Sequence, residues 1–168
     1  MNSDKQLNKF TNQWFLMLLI TGAVASAFFW FNDIIVKNIG DIEFSGTLEN
    51  FNANIAGNLE AIKANTYYDF LFIVVYTILF YIAYRVFQSS MRIPASKILI
   101  LCCIIPGVFD IIENVLLLNL LTNSNSTWLF NSFWLVVRIK WTFIIPLALV
   151  NITILMYYIL RFVNSFFS

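Results

Sequence analysis

The 168-residue sequence contains no histidine and few charged side chains. Without histidine, the chain cannot bind zinc or haem through imidazole, and it cannot form a Ser-His-Asp triad. Charged residues make up only 11% of the chain, whereas 60% of the residues are hydrophobic and 18% are aromatic. A soluble domain of this length could not bury so large an apolar fraction. The composition therefore indicates an integral membrane protein.

Cysteine is also scarce, and the sequence carries no cofactor motif. Cys102 and Cys103 are adjacent, so they do not form a disulfide framework, and we expect both to be packing residues. No segment resembles a phosphate-binding loop or a nucleic-acid-binding surface. We therefore expect no cofactor, no bound metal and no nucleic-acid partner. The tryptophans are expected mainly as interfacial anchors; they are Trp14, Trp30, Trp128, Trp134 and Trp141.

Four apolar runs are long enough to cross a hydrocarbon core about 30 Å thick, which requires about 20 helical residues. The predicted spans are residues 13–36, 68–84, 98–121 and 135–160. Together they leave almost no chain for a soluble domain, and no linker or internal repeat separates them. We predict a single all-α domain over residues 1–168, an integral membrane four-helix bundle.

The start of the first span also has features of a signal peptide. The segment "FLMLLITGAVASA", residues 15–27, ends in small residues spaced like a signal-peptidase site. However, the apolar run continues through "FFWFNDIIV" without a polar beginning for a mature chain. We expect the first helix to be retained.

Positive charges concentrate at one set of span ends. The basic residues that flank the spans on this side are Lys5, Lys9, Arg85, Arg92, Lys97 and Arg161. The opposite side receives the acidic segment 37–66 and the uncharged link 122–127. By the positive-inside rule, this pattern predicts that both termini lie in the cytoplasm.

The loop between the first two spans has a helical periodicity. Its apolar residues are separated by steps of three and four; they are Leu48, Phe51, Ile55, Leu59 and Ile62. Thr47 is placed to cap this helix, and Glu49 in the first turn suits the helix dipole. We predict a short amphipathic helix over residues 47–64 that lies on the outer surface of the membrane or across the mouth of the bundle.

The predicted spans contain charged side chains at one shared depth. Asp110, Glu113 and Asn114 are spaced i, i+3, i+4, so they project from one face of the third helix. Counting about 1.5 Å per residue from the cytoplasmic ends places Asp69 and Glu113 at the same level, about 24 Å deep, and Lys140 within reach. A carboxylate at the centre of a span costs about 2.5–3.5 kcal/mol. We therefore expect these groups to face the interior of the bundle.

Four segments share a pattern with a known protein family. They are "DIEFSGT" (41–47), "YYDFLFIVVY" (67–76), "GVFDIIENVLLL" (107–118) and "KWTFIIPLAL" (140–149). In this order they resemble a family of small four-span bacterial membrane proteins of uncharacterised activity, with the pattern E-x-x-G-T, D-F-L-F, D-x-x-E-N and K-F. The similarity covers residues 41–150, and D-x-x-E-N is its most specific part.

The resemblance implies a conserved polar set at matching positions of this chain. These positions are Glu43, Gly46, Thr47, Asp69, Asp110, Glu113, Asn114 and Lys140. The chain departs from the family pattern at Ser45, where relatives carry a small apolar residue. The resemblance also implies a bacterial inner membrane, and it supports the polar site without implying an activity.

We expect the polar site to bind a small amphiphile, a lipid or a cation. Carboxylate and amide oxygens favour a hard cation or a protonated amine. The candidate ligand-binding residues are Glu43, Thr47, Asp69, Asp110, Glu113, Asn114 and Lys140. Membrane lipids are the expected partners.

Two alternatives stay open. In the first, the polar cluster fixes helix packing or joins subunits, so the protein is an accessory or sensor component of a homo-oligomer or of a complex with another membrane protein. In the second, it is an enzyme that modifies a lipid or isoprenoid with a buried carboxylate as acid or base. The sequence identifies no catalytic residue, and we favour a protein that is not an enzyme.

Overall fold

The protein is all-α. The computed structural model describes the backbone of residues 2–31, 40–91 and 94–167, and the side chains of residues 7–27, 40–91, 94–160 and 163–164. The helices are α1 (Asn2–Phe31), α2 (Leu48–Ile55), α3 (Leu59–Met91), α4 (Lys97–Thr122) and α5 (Thr127–Phe167). Residues 40–43 are also helical, and the described parts of the chain contain no β-strand.

Four of these helices are long and apolar enough to cross a membrane. The apolar stretches lie at Leu7–Ala27 in α1, Leu59–Met91 in α3, Lys97–Thr122 in α4 and Thr127–Leu160 in α5. The prediction of an all-α four-helix membrane bundle is therefore confirmed.

Three helices extend beyond the predicted spans, and α1 is one of them, because it begins at Asn2 rather than at residue 13. Helix α4 matches the span predicted at 98–121 to within one residue at each end, whereas α3 and α5 extend well beyond 68–84 and 135–160. Hydropathy identifies only the part of a helix that lies in hydrocarbon, and the helical backbone hydrogen bonds continue past it. The predicted end of the first span, residue 36, lies outside the described residues.

The helices pack side by side in chain order, α1 on α3, α3 on α4 and α4 on α5. Side chains near the start of α1 then join it to α5. Trp14 Nε1 donates a hydrogen bond to Asn151 Oδ1 at 2.9 Å, and the hydroxyls of Thr11 and Tyr158 lie 2.8 Å apart. Trp14 is fully buried. The expectation that Trp14 is an interfacial anchor was wrong, because its indole N–H has an acceptor inside the bundle.

Helix α2 covers one end of the bundle. Thr47 caps it by accepting a hydrogen bond from the backbone N–H of Asn50 at 3.2 Å, as predicted. Phe51 lies in the core against Phe130 and Phe133 of α5, with ring centroids 5.8 and 5.7 Å apart. We call the end formed by α2 and the α4–α5 turn the capped end.

The prediction of one helix over residues 47–64 was wrong in its length. Helix α2 stops at Ile55, Gly57 adopts a positive φ of 83°, and residues from Leu59 onward belong to α3. A positive φ is accessible to glycine at little cost and breaks the helix. The apolar face was nevertheless predicted correctly in part, since Phe51, Ile55 and Ile62 are buried in one cluster.

Three apolar clusters fill the bundle, and two of them lie above and below its middle. The cluster at the capped end includes Phe51, Leu120 and Phe133, and the cluster at the opposite end includes Trp14 and Val86. The charged residues of the spans lie between them along α3, α4 and α5. The two apolar layers therefore isolate a polar layer inside the protein.

Candidate functional site

The centre of the polar layer is Lys140 of α5, which is only 3% exposed. Its Nζ lies 2.6 Å from Glu113 Oε2, 3.1 Å from Asp110 Oδ1 and 3.5 Å from Glu43 Oε1. The contact with Glu113 is the shortest of the three salt bridges. Hydrogen bonds join Nζ to Asp110 and to Glu43. One ammonium group thus ties α5 to α4 and to the 40–43 turn.

Further donors fix two of these carboxylates. The hydroxyl of Tyr76 on α3 donates to Asp110 Oδ2 at 2.7 Å, and Trp141 Nε1 donates to Glu43 Oε2 at 2.9 Å. Asp110 therefore links three helices. The interpretation of Trp141 as mainly an interfacial anchor needs correction, because its N–H holds an acidic group of the polar layer.

Asp69 of α3 is bound differently from the other three carboxylates. Its Oδ2 accepts a hydrogen bond from Asn114 Nδ2 of α4 at 2.9 Å. The described ion pairs of Lys140 involve Glu43, Asp110 and Glu113 and do not include Asp69. Asp69 is therefore paired with a neutral amide.

A cavity of about 380 Å³ lies beside this network and reaches all four spanning helices. Its polar wall contains Glu43, Asn65, Thr66, Asp69, Tyr76, Asp110, Glu113, Asn114 and Lys140. Its apolar wall includes Phe72, Leu79, Phe80, Leu117 and Ile144, and Thr21 contributes from α1. Small-molecule sites typically have volumes of about 300–1,000 Å³ and combine an apolar lining with a few polar groups.

The cavity wall carries an excess of acidic groups. Four carboxylates, those of Glu43, Asp69, Asp110 and Glu113, face one ammonium, that of Lys140. When all are ionised, three negative charges have no counterpart in this wall. Uncompensated charge inside a membrane protein is expensive. The site therefore favours protons or a positively charged ligand.

The structure brings six of the seven candidate ligand-binding residues to this cavity. They are Glu43, Asp69, Asp110, Glu113, Asn114 and Lys140. Thr47 is not among the lining residues, because its hydroxyl caps α2. Their role in binding stays a prediction.

Asn65 and Thr66 also line the cavity, and the sequence analysis missed both. They lie between the predicted surface helix, which ends at residue 64, and the apolar run that begins at residue 68, so neither predicted element included them. The signal that could have identified Asn65 is its spacing of four from Asp69, which places both side chains on one face of a helix.

The described residues contain no group of three or more His, Cys, Asp or Glu side chains arranged to hold a metal ion. The ammonium of Lys140 lies among Glu43, Asp110 and Glu113 and supplies the positive charge there. The remaining carboxylate of the wall is Asp69.

Comparisons with family models, with curated proteins and with solved structures found no match for this chain. The resemblance of its four segments to a family of small bacterial membrane proteins therefore stays a prediction.

Proposed function

We propose that this multi-pass membrane protein binds a small amphiphile or lipid in the cavity between its four spanning helices. The observation that supports this most is the mixed lining of the cavity, which combines acidic and amide groups with apolar side chains such as Phe72, Leu79 and Phe80. A ligand with a polar head and an apolar chain can contact both kinds of lining group at once. Water can satisfy only the polar groups.

The contacts of α1 favour entry of this ligand from the lipid. Among the described side chains, the hydrogen bonds and ring contacts between α1 and α5 involve Thr11, Trp14 and Phe15, near the start of α1. Thr21, further along α1, lines the cavity instead. We propose that an amphiphile enters between α1 and α5 on the capped side of these contacts.

The orientation we propose places both termini in the cytoplasm of a bacterium and the chain in the inner membrane. The positive-inside rule supports this, since Lys9, Arg85 and Lys97 lie at the end opposite the capped end. The cavity then lies in the outer half of the membrane. The family resemblance is in keeping with this location, and its shared acidic residues would be those of the cavity wall.

Two matched substitutions in α5 test the proposed function. Ile144 lines the cavity, whereas its neighbour Ile145 is 54% exposed on the outside of the bundle. Ile144→Trp should fill the cavity, and Ile145→Trp should leave it open. Native mass spectrometry of each protein, purified in mild detergent, measures the retained ligand.

We expect a bound amphiphile on the wild type and on Ile145→Trp, and its loss from Ile144→Trp. A wild-type protein that carries no ligand, or equal retention by both variants, would contradict the proposal. If the retained molecule is chemically changed during incubation, the protein acts as an enzyme on its ligand.

A second candidate function is structural, and the contacts of Lys140 favour it. They connect α4, α5 and the 40–43 turn inside the bundle. Because Lys140 and Glu113 are buried within one chain, this network would fix helix packing in the protomer rather than a contact between subunits. A structural role alone predicts that Ile144→Trp and Ile145→Trp retain the same molecules.

A further inference from the structure

We infer that the ligand is a primary alkylamine in its ammonium form, held between Asp69 and Asn65. This inference rests on the proposed function and specifies the chemical class of the polar head. Both residues belong to α3 and line the same cavity. Their spacing of four residues places their side chains one turn apart on one helical face.

Asp69 is the carboxylate of the wall whose negative charge is available to a ligand. Glu43, Asp110 and Glu113 share the ammonium of Lys140. Asp69 has the amide of Asn114 on Oδ2, and the described residues provide no hydrogen bond to Oδ1. Among the carboxylates of the wall, Asp69 would therefore attract an added cation most strongly.

Asn65 provides an independent indication of a ligand. The residue is 2% exposed, and its Oδ1 is a buried acceptor that has no hydrogen-bond partner among the described residues. Buried polar groups in proteins are almost always paired, and each exception requires an explanation. A hydrogen-bond donor on a ligand in the adjoining cavity would explain why Asn65 Oδ1 is unpaired in the protein alone.

Together these groups select the charge and the hydrogen-bonding capacity of the head. An ammonium group has a positive charge and three N–H donors, so it can bind Asp69 Oδ1 and Asn65 Oδ1 at once. A head that carries only negative charge, such as a carboxylate or a sulfate, would be repelled by the acidic wall. A quaternary ammonium carries the charge but has no N–H for Asn65, and a neutral alcohol has one donor and no charge.

The apolar wall defines the rest of the ligand. Phe72 lies one turn beyond Asp69 on α3, and Leu79 and Phe80 follow further along the same helix. An alkyl chain attached to the ammonium can therefore extend along α3, away from the capped end. This arrangement distinguishes an alkylamine from a small inorganic cation.

The test uses the full-length protein in lipid nanodiscs and four probes with the same chain length. Isothermal titration calorimetry measures the binding of decylammonium, decyltrimethylammonium, decanol and decyl sulfate. The variants are Asp69→Asn, which removes the charge with little change of shape, and Asp41→Asn, the same change at an exposed position outside the cavity.

We expect decylammonium to bind most tightly, decyltrimethylammonium more weakly, and decyl sulfate not at all. Asp69→Asn should weaken the binding of decylammonium by about 10- to 150-fold, which is the effect of losing one hydrogen bond to a charged group. Asp41→Asn should bind like the wild type. Asn65→Leu should lower the affinity for decylammonium to the affinity for decyltrimethylammonium.

The outcomes separate the two proposals. If all four probes bind equally and Ile144→Trp abolishes their binding, the cavity binds amphiphiles but the ammonium site is refuted. If no probe binds, the proposed function fails as well. Equal affinity of decylammonium for wild type and Asp69→Asn also refutes the ammonium site.

An ammonium group could belong to a free amine or to an ethanolamine lipid. Competition by lysophosphatidylethanolamine against decylammonium would identify the lipid as the source. Failure of this lipid to compete, with decylammonium still bound, would identify a free alkylamine. Either result supports an ammonium site at Asp69 and Asn65.

Discussion

Lys140 Nζ lies 2.6 Å from Glu113 Oε2, and each of these residues is only 3% exposed. This ion pair joins α5 to α4 inside the bundle, between two apolar clusters. Because Lys140 also contacts Asp110 and Glu43, the two partners are not equivalent. Lys140 is the cation for three carboxylates, whereas Glu113 is one of several anions.

The first prediction follows from this asymmetry. Lys140→Met leaves the buried carboxylates without a cation, and breaking a buried ion pair in this way costs about 3–5 kcal/mol. Glu113→Gln removes one surplus negative charge while Lys140 keeps Asp110 and Glu43, so we expect a smaller loss, about 1–3 kcal/mol. Thermal unfolding in mild detergent, followed by circular dichroism, compares the two.

The matched control for this prediction is Lys63→Met on α3. Lys63 forms an ion pair with Glu60 at 2.9 Å, but this pair lies at the surface. Exposed ion pairs contribute about 0–1 kcal/mol. The buried network would not be structural if Lys140→Met unfolded at the same temperature as Lys63→Met.

The spanning helices and their polar face could be predicted from the sequence because both depend on local periodicity. A long apolar run sets the bounds of α4, and the i, i+3, i+4 spacing places Asp110, Glu113 and Asn114 on one face of it. The structure buries all three side chains. Helical geometry and the cost of charge in hydrocarbon are sufficient for this step.

The partners of these residues could not be predicted in the same way. Glu43 reaches Lys140 from a turn with no clear period, and Asn65 lies beyond the end of the apolar run of α3. The position of Glu43 depends on how its segment folds onto α5, which is a tertiary effect, whereas the position of Asn65 depends on where α3 begins. Gly57 also shows the limit of periodicity, because its positive φ interrupts an apolar face that continues in the sequence.

The second prediction concerns the close approach of α3 and α4 at Gly107. A Cβ atom at residue 107 would lie 2.5 Å from Thr77 Oγ1, and Thr is stiff because it branches at Cβ. Gly107→Ala should therefore destabilise the fold by about 1–3 kcal/mol. Adding Thr77→Ala removes the clash and should restore most of the loss, as measured by thermal unfolding.

Gly22→Ala in α1 is the control for this pair. No atom lies within 4 Å of a Cβ at residue 22, and alanine favours the helix over glycine by about 0.5–1 kcal/mol. We therefore expect a neutral or slightly stabilising change. A Gly107→Ala protein as stable as Gly22→Ala would show that α3 and α4 do not meet at this glycine.

The third prediction tests the closure of the bundle by α1 and α5. Asn151→Leu leaves the buried Trp14 Nε1 without an acceptor, which should cost about 1–3 kcal/mol. Trp14→Phe combined with Asn151→Leu removes both polar groups, so the double variant should lose less than the sum of the two single variants. Thermal unfolding of the two single variants and the double variant gives the coupling free energy between Trp14 and Asn151.

Asn119→Leu provides the control for the Asn151 substitution. Asn119 is exposed on α4 and donates only to the carbonyl of Val115 in its own helix. Its replacement should change stability by about 0.5 kcal/mol or less. Additive effects of Trp14→Phe and Asn151→Leu would mean that their hydrogen bond does not join α1 to α5.

The last prediction compares two asparagines of the cavity wall, for which the structure implies opposite effects on stability. Asn114 donates to Asp69, so Asn114→Leu should cost about 1–3 kcal/mol by leaving that carboxylate without its donor. Asn65 Oδ1 has no hydrogen-bond partner in the part of the chain that the structure describes, so Asn65→Leu removes a buried unpaired acceptor and should leave stability unchanged or raise it by about 1–3 kcal/mol. Thermal unfolding in detergent without added ligand measures both.

The same Asn65→Leu protein should show a smaller stabilisation by decylammonium than the wild type. Replacing a residue that serves only the fold would lower the stability of the protein without changing the stabilisation that a ligand produces. Replacing a residue that serves binding would reduce the stabilisation by the ligand without lowering the stability of the free protein, because its polar group is paired only when the ligand is present. If Asn65→Leu is as unstable as Asn114→Leu and its shift with decylammonium is that of the wild type, Asn65 belongs to the packing of α3 and not to a binding site.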